Sequence, residues 1–257
     1  MEENKRPLIL VTNDDGYDAK GIHQLVETVK DMGRVVVVSP KHPQSGMGHA
    51  ITIHDPIHIR EIKDFGDIEG YQCSGTPVDC VKMAIYSILD RRPDIILSGI
   101  NHGANFSINI LYSGTMSAAV EGALENIPSI GFSLLDYDAD ADFEASKEVV
   151  RSVVAKALKN GMPDHICLNV NIPKLPRKDL KGYRICRQGV GHWKDDFVKN
   201  HTPMGKPYFW LAGSFQDMDG GEDTDTWALE NGYVSIVPVQ FDMTAHQHMS
   251  TFNHWGL

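Results

Sequence analysis

Two adjacent carboxylates, Asp14 and Asp15, follow the apolar run Pro7–Thr12 and stand directly before Gly16. Side by side at the end of a buried strand, such anions repel and raise each other's pKa unless a cation sits near them. Two other loops carry matching chemistry. The segment Pro43-Gln44-Ser45-Gly46-Met47-Gly48 follows the run Arg34–Ser39, and Gly99-Ile100-Asn101-His102-Gly103-Ala104-Asn105 follows Asp94–Ser98. The Ser45 hydroxyl and the Asn101 amide would join the carboxylates in an all-oxygen set, which suits Mg²⁺, Mn²⁺ or Ca²⁺ and disfavours Zn²⁺. The plainer alternative is that Asp14 caps the next helix while Asp15-Gly16 makes a turn.

A second element is suited to anions. Tyr112-Ser113-Gly114-Thr115 opens a small-residue helix over Gly114–Glu125, and the first N–H groups of such a helix point outward at a positive dipole end. Gly114 lets a ligand approach the backbone, and the Ser113 and Thr115 hydroxyls add donors. An ordinary Ser/Thr N-cap would look the same in sequence. A divalent cation beside an anion-binding helix start is the arrangement phosphoryl chemistry requires. Late in the chain, Phe241-Asp242-Met243-Thr244-Ala245-His246 offers a histidine that could protonate a leaving alkoxide or position a water. Asp242, four residues upstream on a helical turn, would orient it.

These loops need elements to hold them. Pro7–Thr12, Arg34–Ser39, Asp94–Ser98, Ser129–Ser133 and His165–Asn169 read as strands buried on both faces. Helices are predicted between them at Gly21–Asp31, from Thr76-Pro77-Val78-Asp79 onward, at Gly114–Glu125 and at Phe143–Lys159. That alternation predicts an α/β fold, Rossmann-like, with three layers around a mostly parallel sheet. In such sheets the functional loops gather beyond the carboxyl ends of the strands, so all three oxygen-bearing loops should share one crevice. Two regions break the rhythm. Residues 50–62 alternate across Asp55-Pro56 and suggest an antiparallel hairpin. From about Gly182 to Gly221 short stretches, including Tyr208–Ala212, suggest a protruding β-hairpin or arm. The chain therefore divides into a core at 1–181 and a C-terminal extension at 182–257. Tyr208, Phe209 and Trp210 in that arm need burial, against a partner subunit or against the parent core.

Composition narrows the class. The chain has 257 residues with 42% hydrophobic content, enough for a core, and a net charge of −10 with no Lys/Arg block, which argues against a duplex nucleic-acid partner. No apolar stretch approaches a membrane span, and the start of the chain has too short an apolar run for a signal peptide. Four cysteines without a C-x-x-C pair suit a reducing cytoplasm. There is no G-x-S-x-G, P-loop or G-x-G-x-x-G after the first strand. The acidic stretch Asp136–Asp142 has Ala141 where a calcium loop needs Gly, and reads as a solvated linker.

The pieces LVTNDDG, PQSGMGHAIT, SGTPVDCVKMA, PDIILSGINHGAN, LYSGTMSAAVEGAL and VSIVPVQFDMTAH occur in one order across nearly the whole chain. Together they resemble the SurE survival proteins, stationary-phase nucleotidases of bacteria and archaea. The resemblance implies a Rossmann-like core with a C-terminal extension exchanged between subunits of a homodimer or homotetramer. It also implies a divalent-metal-dependent phosphatase, a 5′-nucleotidase, acting on nucleoside 5′- and often 3′-monophosphates and sometimes on polyphosphate. By position, Asp14, Asp15, Ser45 and Asn101 correspond to ligands of one Mg²⁺ or Mn²⁺ per subunit. Asn105 and Ser113-Gly114-Thr115 correspond to phosphate contacts, and Asp242 and His246 to a late active-site pair. Phe106-Ser107-Ile108-Asn109 departs from the family's more usual Gly and acidic residue before YSGT, which bears on base or sugar preference. Both a metal-activated water and an aspartyl-phosphate through Asp14 or Asp15 fit this sequence. A metal-dependent nucleotide sensor without turnover is the alternative of another class.

Overall fold

The computed structural model describes residues 6–255; the first five residues, where the absence of a signal peptide was read, and the last two lie outside it. Leu8–Thr12 (β1) and Arg34–Pro40 (β2) are the first two strands, buried along nearly their whole length because helices cover both faces. Between them Lys20–Val29 (α1) turns Ile22, Leu25, Val26 and Val29 inward. Ile59–Ile62 (β3) and Glu69–Cys73 (β4) follow, then Pro77–Met83 (α2), which ends in a wide turn over Ala84–Ile88. A full capping box starts α2: Thr76 and Asp79 exchange side-chain and backbone hydrogen bonds, with Pro77 at the first helical position. The core continues through Ile95–His102 (β5), Gly114–Leu124 (α3), Ser129–Leu134 (β6), Glu144–Asn160 (α4) and Ile166–Ile172 (β7).

The hydrogen-bonded order is β3-β4-β2-β1-β5-β6-β7, continued by Val234–Gln240 (β11) and Tyr183–Ile185 (β8). Strands β4, β2, β1, β5, β6 and β7 are mutually parallel. Strand β3 runs against β4, and β11 runs against β7 and parallel to β8. One face of the sheet packs on α1 and α4 around Leu25, Phe132 and Val150, and the other on α2 and α3 around Leu10, Val81 and Ala118. This is the expected three-layer α/β core. The chain leaves β1 toward β2 and later returns to β5 on the other side of β1. The gap between β1 and β5 is thus the point where strand order reverses, where crevices form in open sheets.

One expectation changes. The antiparallel hairpin lies not within 50–62 but between β3 and β4, with Ile59 opposite Cys73 and Ile62 opposite Gly70. Pro56 has no N–H for a ladder, and the Thr52 N–H goes to the Asp79 carboxylate instead. Strand β4 itself escaped notice because EGYQC mixes polar residues with Gly near a sheet edge. After residue 181, β8 and β11 pack on the core by completing the main sheet, bridged by Asp225–Glu230 (α5).

What does project is the long hairpin Gly191–His201 (β9) with Pro207–Asp217 (β10), as the sequence suggested. Eleven paired residues per strand make an arm roughly 35 Å long. Its pairing places Phe197, Phe209 and Leu211 on one face and Val198, Tyr208 and Trp210 on the other, all exposed. Tyr208, Phe209 and Trp210 are therefore not buried against the parent core of the same chain. The tail beyond β11 ends in Met249–Asn253 (α6), also exposed. Among the described residues no helix is long and apolar enough to cross a membrane.

Candidate active site

The loops after β1, β2 and β5 meet at the carboxyl edge of the parallel strands. A cavity of about 360 Å³ opens there, with Asp14, Ser45, Asn101, Asn105 and Ser113 on its wall. That volume falls in the range of sites for small organic ligands, roughly 300–1,000 Å³. Asp15 lies beside Asp14 and is not on the wall.

The Asp14-Asp15 turn is held by Asn13, a residue the sequence did not single out. Its amide donates to the Gly16 carbonyl at 2.8 Å and its oxygen accepts from the Ser39 hydroxyl at 2.5 Å, tying the ends of β1 and β2 together. The Gln44 N–H donates to the Asp14 carbonyl at 2.7 Å, which brings the Ser45 loop over the same point. On β5 the register with β6 shifts between Ser98 and Asn101, so the strand bulges at the position that delivers Asn101. Helix α1 begins at Lys20 with Ala19 as its N-cap and no capping side chain. Asp14 is thus not a helix cap, and the plainer alternative fails.

Burial and the neighbouring Asp15 charge push the Asp14 carboxyl up to about 6. Burial also raises Asp15, against a lowering hydrogen bond from the His102 N–H at 3.3 Å. The start of α3 is spent on this pair. The Thr115 hydroxyl donates to Asp14 Oδ1 at 2.5 Å, and the Ser113 hydroxyl caps its own helix by accepting the Met116 N–H at 3.0 Å. A Cβ on Gly114 would stand 2.7 Å from the Asp14 Cβ, so only glycine allows the helix to approach this closely. Of the four residues expected at the phosphate, Asn105 and Ser113 border the cavity; Thr115 is buried against Asp14, and Gly114 packs on it.

The donor set fits a hard cation. Asn101 spends its amide N–H groups on the Gly103 carbonyl at 2.5 Å and the His102 carbonyl at 3.3 Å, so its oxygen is left for the cavity. Asp14 and Asp15 each have a second carboxylate oxygen outside these side-chain bonds, and no Lys or Arg stands on the wall to neutralise them. Among the described residues no three His, Cys, Asp or Glu side chains are placed to hold a metal ion together. The oxygen set holds only two such groups, its other members being a hydroxyl and an amide.

Asn105 is fixed by a buried amide chain from β7. Its N–H donates to Asn171 Oδ1 at 2.6 Å, its carbonyl accepts from Asn169 Nδ2 at 2.8 Å, and its side-chain amide donates to the Ser133 hydroxyl at 2.8 Å. Polar residues inside an otherwise apolar strand were the available signal for Asn169 and Asn171. His102, Asn109, Tyr112, Tyr137 and Trp193 also border the cavity and were missed in those roles.

Asp242 and His246 are joined as expected, Nε2 to Oδ2 at 2.6 Å, but elsewhere. Strand β11 runs antiparallel to β7, with Gln240 opposite Ile166 at the start of β7. Its carboxyl end therefore emerges at the edge of the sheet opposite the Asp14 cavity. Phe241 packs edge-on against His165 at that far edge. The pair is exposed and is not brought to the cavity of its own chain.

The family model for survival protein SurE matches residues 9–195 of this chain. The chain belongs to the SurE family. Relatives named 5′-nucleotidase SurE from Flavobacterium johnsoniae and Flavobacterium psychrophilum are 56% and 55% identical, each over 98–99% of both chains. A crystal structure of the SurE protein from Aquifex aeolicus matches 98% of this chain and all of that one, with 40% identity and a TM-score of 0.84. The SurE match and the shared fold agree with the mostly parallel sheet read from the sequence.

Proposed function

We propose that this chain is a 5′-nucleotidase, a phosphoric monoester hydrolase that converts nucleoside 5′-monophosphates to nucleoside and phosphate. The observation that carries the reading is the cavity at the β1–β5 reversal, whose wall holds the desolvated Asp14 carboxylate, with Asp15 beside it, together with Ser45 and Asn101 and without a Lys or Arg. The substrate class is supported by the names of relatives at 55–56% identity over nearly the whole chain. Nucleoside 3′-monophosphates and polyphosphate are further substrates of the same chemistry.

Asp14, Asp15, Ser45 and Asn101 would hold one divalent cation per subunit, Mg²⁺ or Mn²⁺, as hard oxygen donors do. When bound, such a cation supplies Lewis-acid stabilisation of phosphate charge and acidifies water at neutral pH. Thr115 and Gly114 keep the Asp14 carboxylate aimed at the cavity. Asn105 and Ser113 face the phosphate oxygens. His246 gives a proton to the departing ribose oxygen, with Asp242 holding the imidazole.

Because β11 carries that pair to the far edge, it would serve a second copy of the chain. A homodimer or homotetramer, built through the arm and tail, is supported by apolar side chains on both faces of the arm. Neither a nucleic acid duplex nor a membrane is a partner. Four free, buried cysteines support a cytoplasmic setting.

The test is phosphate release from a nucleoside 5′-monophosphate with Mg²⁺ or Mn²⁺, with and without chelator. Release lost to chelator and to Asp14→Asn is the expected outcome, and metal-dependent binding without release would make the protein a sensor instead. Mixing inactive Asp14→Asn and inactive His246→Ala subunits should recover activity that neither has alone. No recovery after demonstrated subunit exchange would confine each site to one chain.

A further inference from the structure

The cavity wall carries two kinds of chemistry. Asp14, Ser45 and Asn101 supply oxygen donors, while Trp193 and Asn109 supply an aromatic ring and an amide to the same wall. Trp193 comes from the first turn of the projecting arm, 84 residues from Asn109, and its indole N–H donates to Asn109 Oδ1 at 2.7 Å. An indole nitrogen can only donate, so this contact settles which way the Asn109 amide faces. Its NH₂ group makes none of the side-chain hydrogen bonds found among the described residues, and it belongs to a residue on the cavity wall.

The ring is held from behind. Phe215, opposite Trp193 in the arm, meets it at 6.1 Å and 71°, and Phe106 meets Phe215 at 5.2 Å and 85°. The Asn109 turn is anchored separately. Buried Asp225 accepts the Ser107 N–H and the Gly189 N–H at 2.8 Å each, pinning that turn to the chain just before the arm. The arm root and the turn over 107–111 therefore form one unit, and Trp193 remains 40% exposed beside the cavity.

We infer that Trp193 and Asn109 form the seat for the nucleobase: the indole face stacks on the base and the Asn109 NH₂ donates to an acceptor on its edge. The ligand class is a planar heteroaromatic ring joined to a sugar phosphate. This rests on the nucleotidase reading for what the Asp14 group holds. It makes the arm root part of the substrate site and assigns Asn109 a donor's role in choosing the base.

The experiment compares a nucleoside 5′-monophosphate with ribose 5-phosphate, which has the same sugar phosphate and no base. Trp193→Ala should lower kcat/KM for the nucleotide about tenfold more than for ribose 5-phosphate, the size expected when a base-stacking aromatic is removed. Trp193→Phe, which keeps a ring, should restore most of that ratio. Asn109→Asp keeps an acceptor for the indole but replaces the donor, and should reorder preference among the bases. Nucleotide should also quench tryptophan fluorescence in the wild type, with ribose 5-phosphate far less effective, and the quench should be lost in Trp193→Phe. A ratio unchanged in Trp193→Ala, with the variant folded by circular dichroism, overturns the inference. If the wild type shows the base-dependent quench but releases no phosphate, the nucleotidase reading fails while the base seat stands.

Discussion

Two regions of this molecule, the Asp14 edge and the projecting arm with the tail, are built on opposite terms. At the Asp14 edge, polar groups are buried and closely partnered: Asn13 with Ser39 and Gly16, Thr115 with Asp14, Asn105 with Asn169 and Asn171. In the arm and tail, Phe209, Trp210, Leu211, Phe252 and Trp255 stand in the open, with Trp210 65% exposed. Burying a large apolar side chain is worth about 1.5–3 kcal/mol, so a hairpin that exposes several on both faces lacks its covering. The buried polar groups at the Asp14 edge are completed by partners from their own chain, whereas the arm and tail are shaped for something outside it.

The sharpest way to break that contrast is at Asp14. Asp14→Asn should reduce phosphate release by about 10²- to 10³-fold, measured at saturating Mg²⁺ or Mn²⁺, as expected for a group acting on developing charge. It should not unfold the protein. The Asp14 carboxyl sits at about 6 in the folded chain against an ordinary 3.8, so between these pH values the folded state holds a proton that the unfolded state has released. Metal-free protein therefore loses stability as pH rises from about 4 to about 6, by an amount of the order of 2–3 kcal/mol. Asn in place of Asp14 removes that slope. Its metal-free Tm should exceed the wild type's at pH 8 and converge with it near pH 4. A Tm below wild type at pH 8 would mean the carboxylate is structural after all.

Replacing Phe209, Trp210 and Leu211 with serine addresses the arm. Light scattering should show the assembly shifting toward monomer while the core Tm hardly moves, since these side chains make no part of the core clusters. Activity should fall with assembly if the Asp242–His246 pair serves a second copy. An unchanged mass would show that the arm is merely a solvated ornament.

Gly114→Ala is a smaller step at the completed edge. The added methyl would meet the Asp14 side chain at 2.7 Å, and overpacking of this kind costs about 1–3 kcal/mol. Metal affinity, read by titration calorimetry, should fall at least tenfold, because the carboxylate must move.

The smallest effect is expected at His49, whose ring bonds buried Glu121 at 2.9 Å and ties the chain after the Ser45 loop to α3. His49→Gln should cost about 1 kcal/mol in denaturant melts. The Glu121 carboxyl, lowered by its bonds to His49 and Lys82 against the cost of burial, contributes stability above its ordinary pKa of 4.5 and loses it as pH falls below that value. The difference between His49→Gln and wild type should therefore shrink at low pH.

Much of the completed edge was legible in advance because its signals are local. A buried strand ending in NDDG, another ending before PQSG, and a third running into GINHGAN place Asp14, Ser45 and Asn101 at one edge once the sheet is known to be parallel. The roles of individual groups were less legible. Ser113-Gly114-Thr115 reads as an anion-binding helix start, yet the anion that Thr115 holds is the chain's own Asp14. The sequence cannot distinguish an external phosphate from a carboxylate brought from 101 residues away. The hairpin expected at 50–62 moved because alternation marks strand character without naming the partner strand, and Pro56 and the pull of Asp79 on Thr52 decided the pairing.

Composition and periodicity by themselves determined the alternating strands and helices, the three-layer core and the oxygen-rich loops, since burial on both faces and helical spacing are written residue by residue. Only the tertiary structure decided that β11 enters the sheet antiparallel, sending Asp242 and His246 to the edge away from Asp14. Only it decided that Trp193 reaches back to Asn109. Both outcomes depend on pairings between residues far apart in the chain, whose free energy comes from the geometry of the finished sheet and leaves no mark on the local pattern.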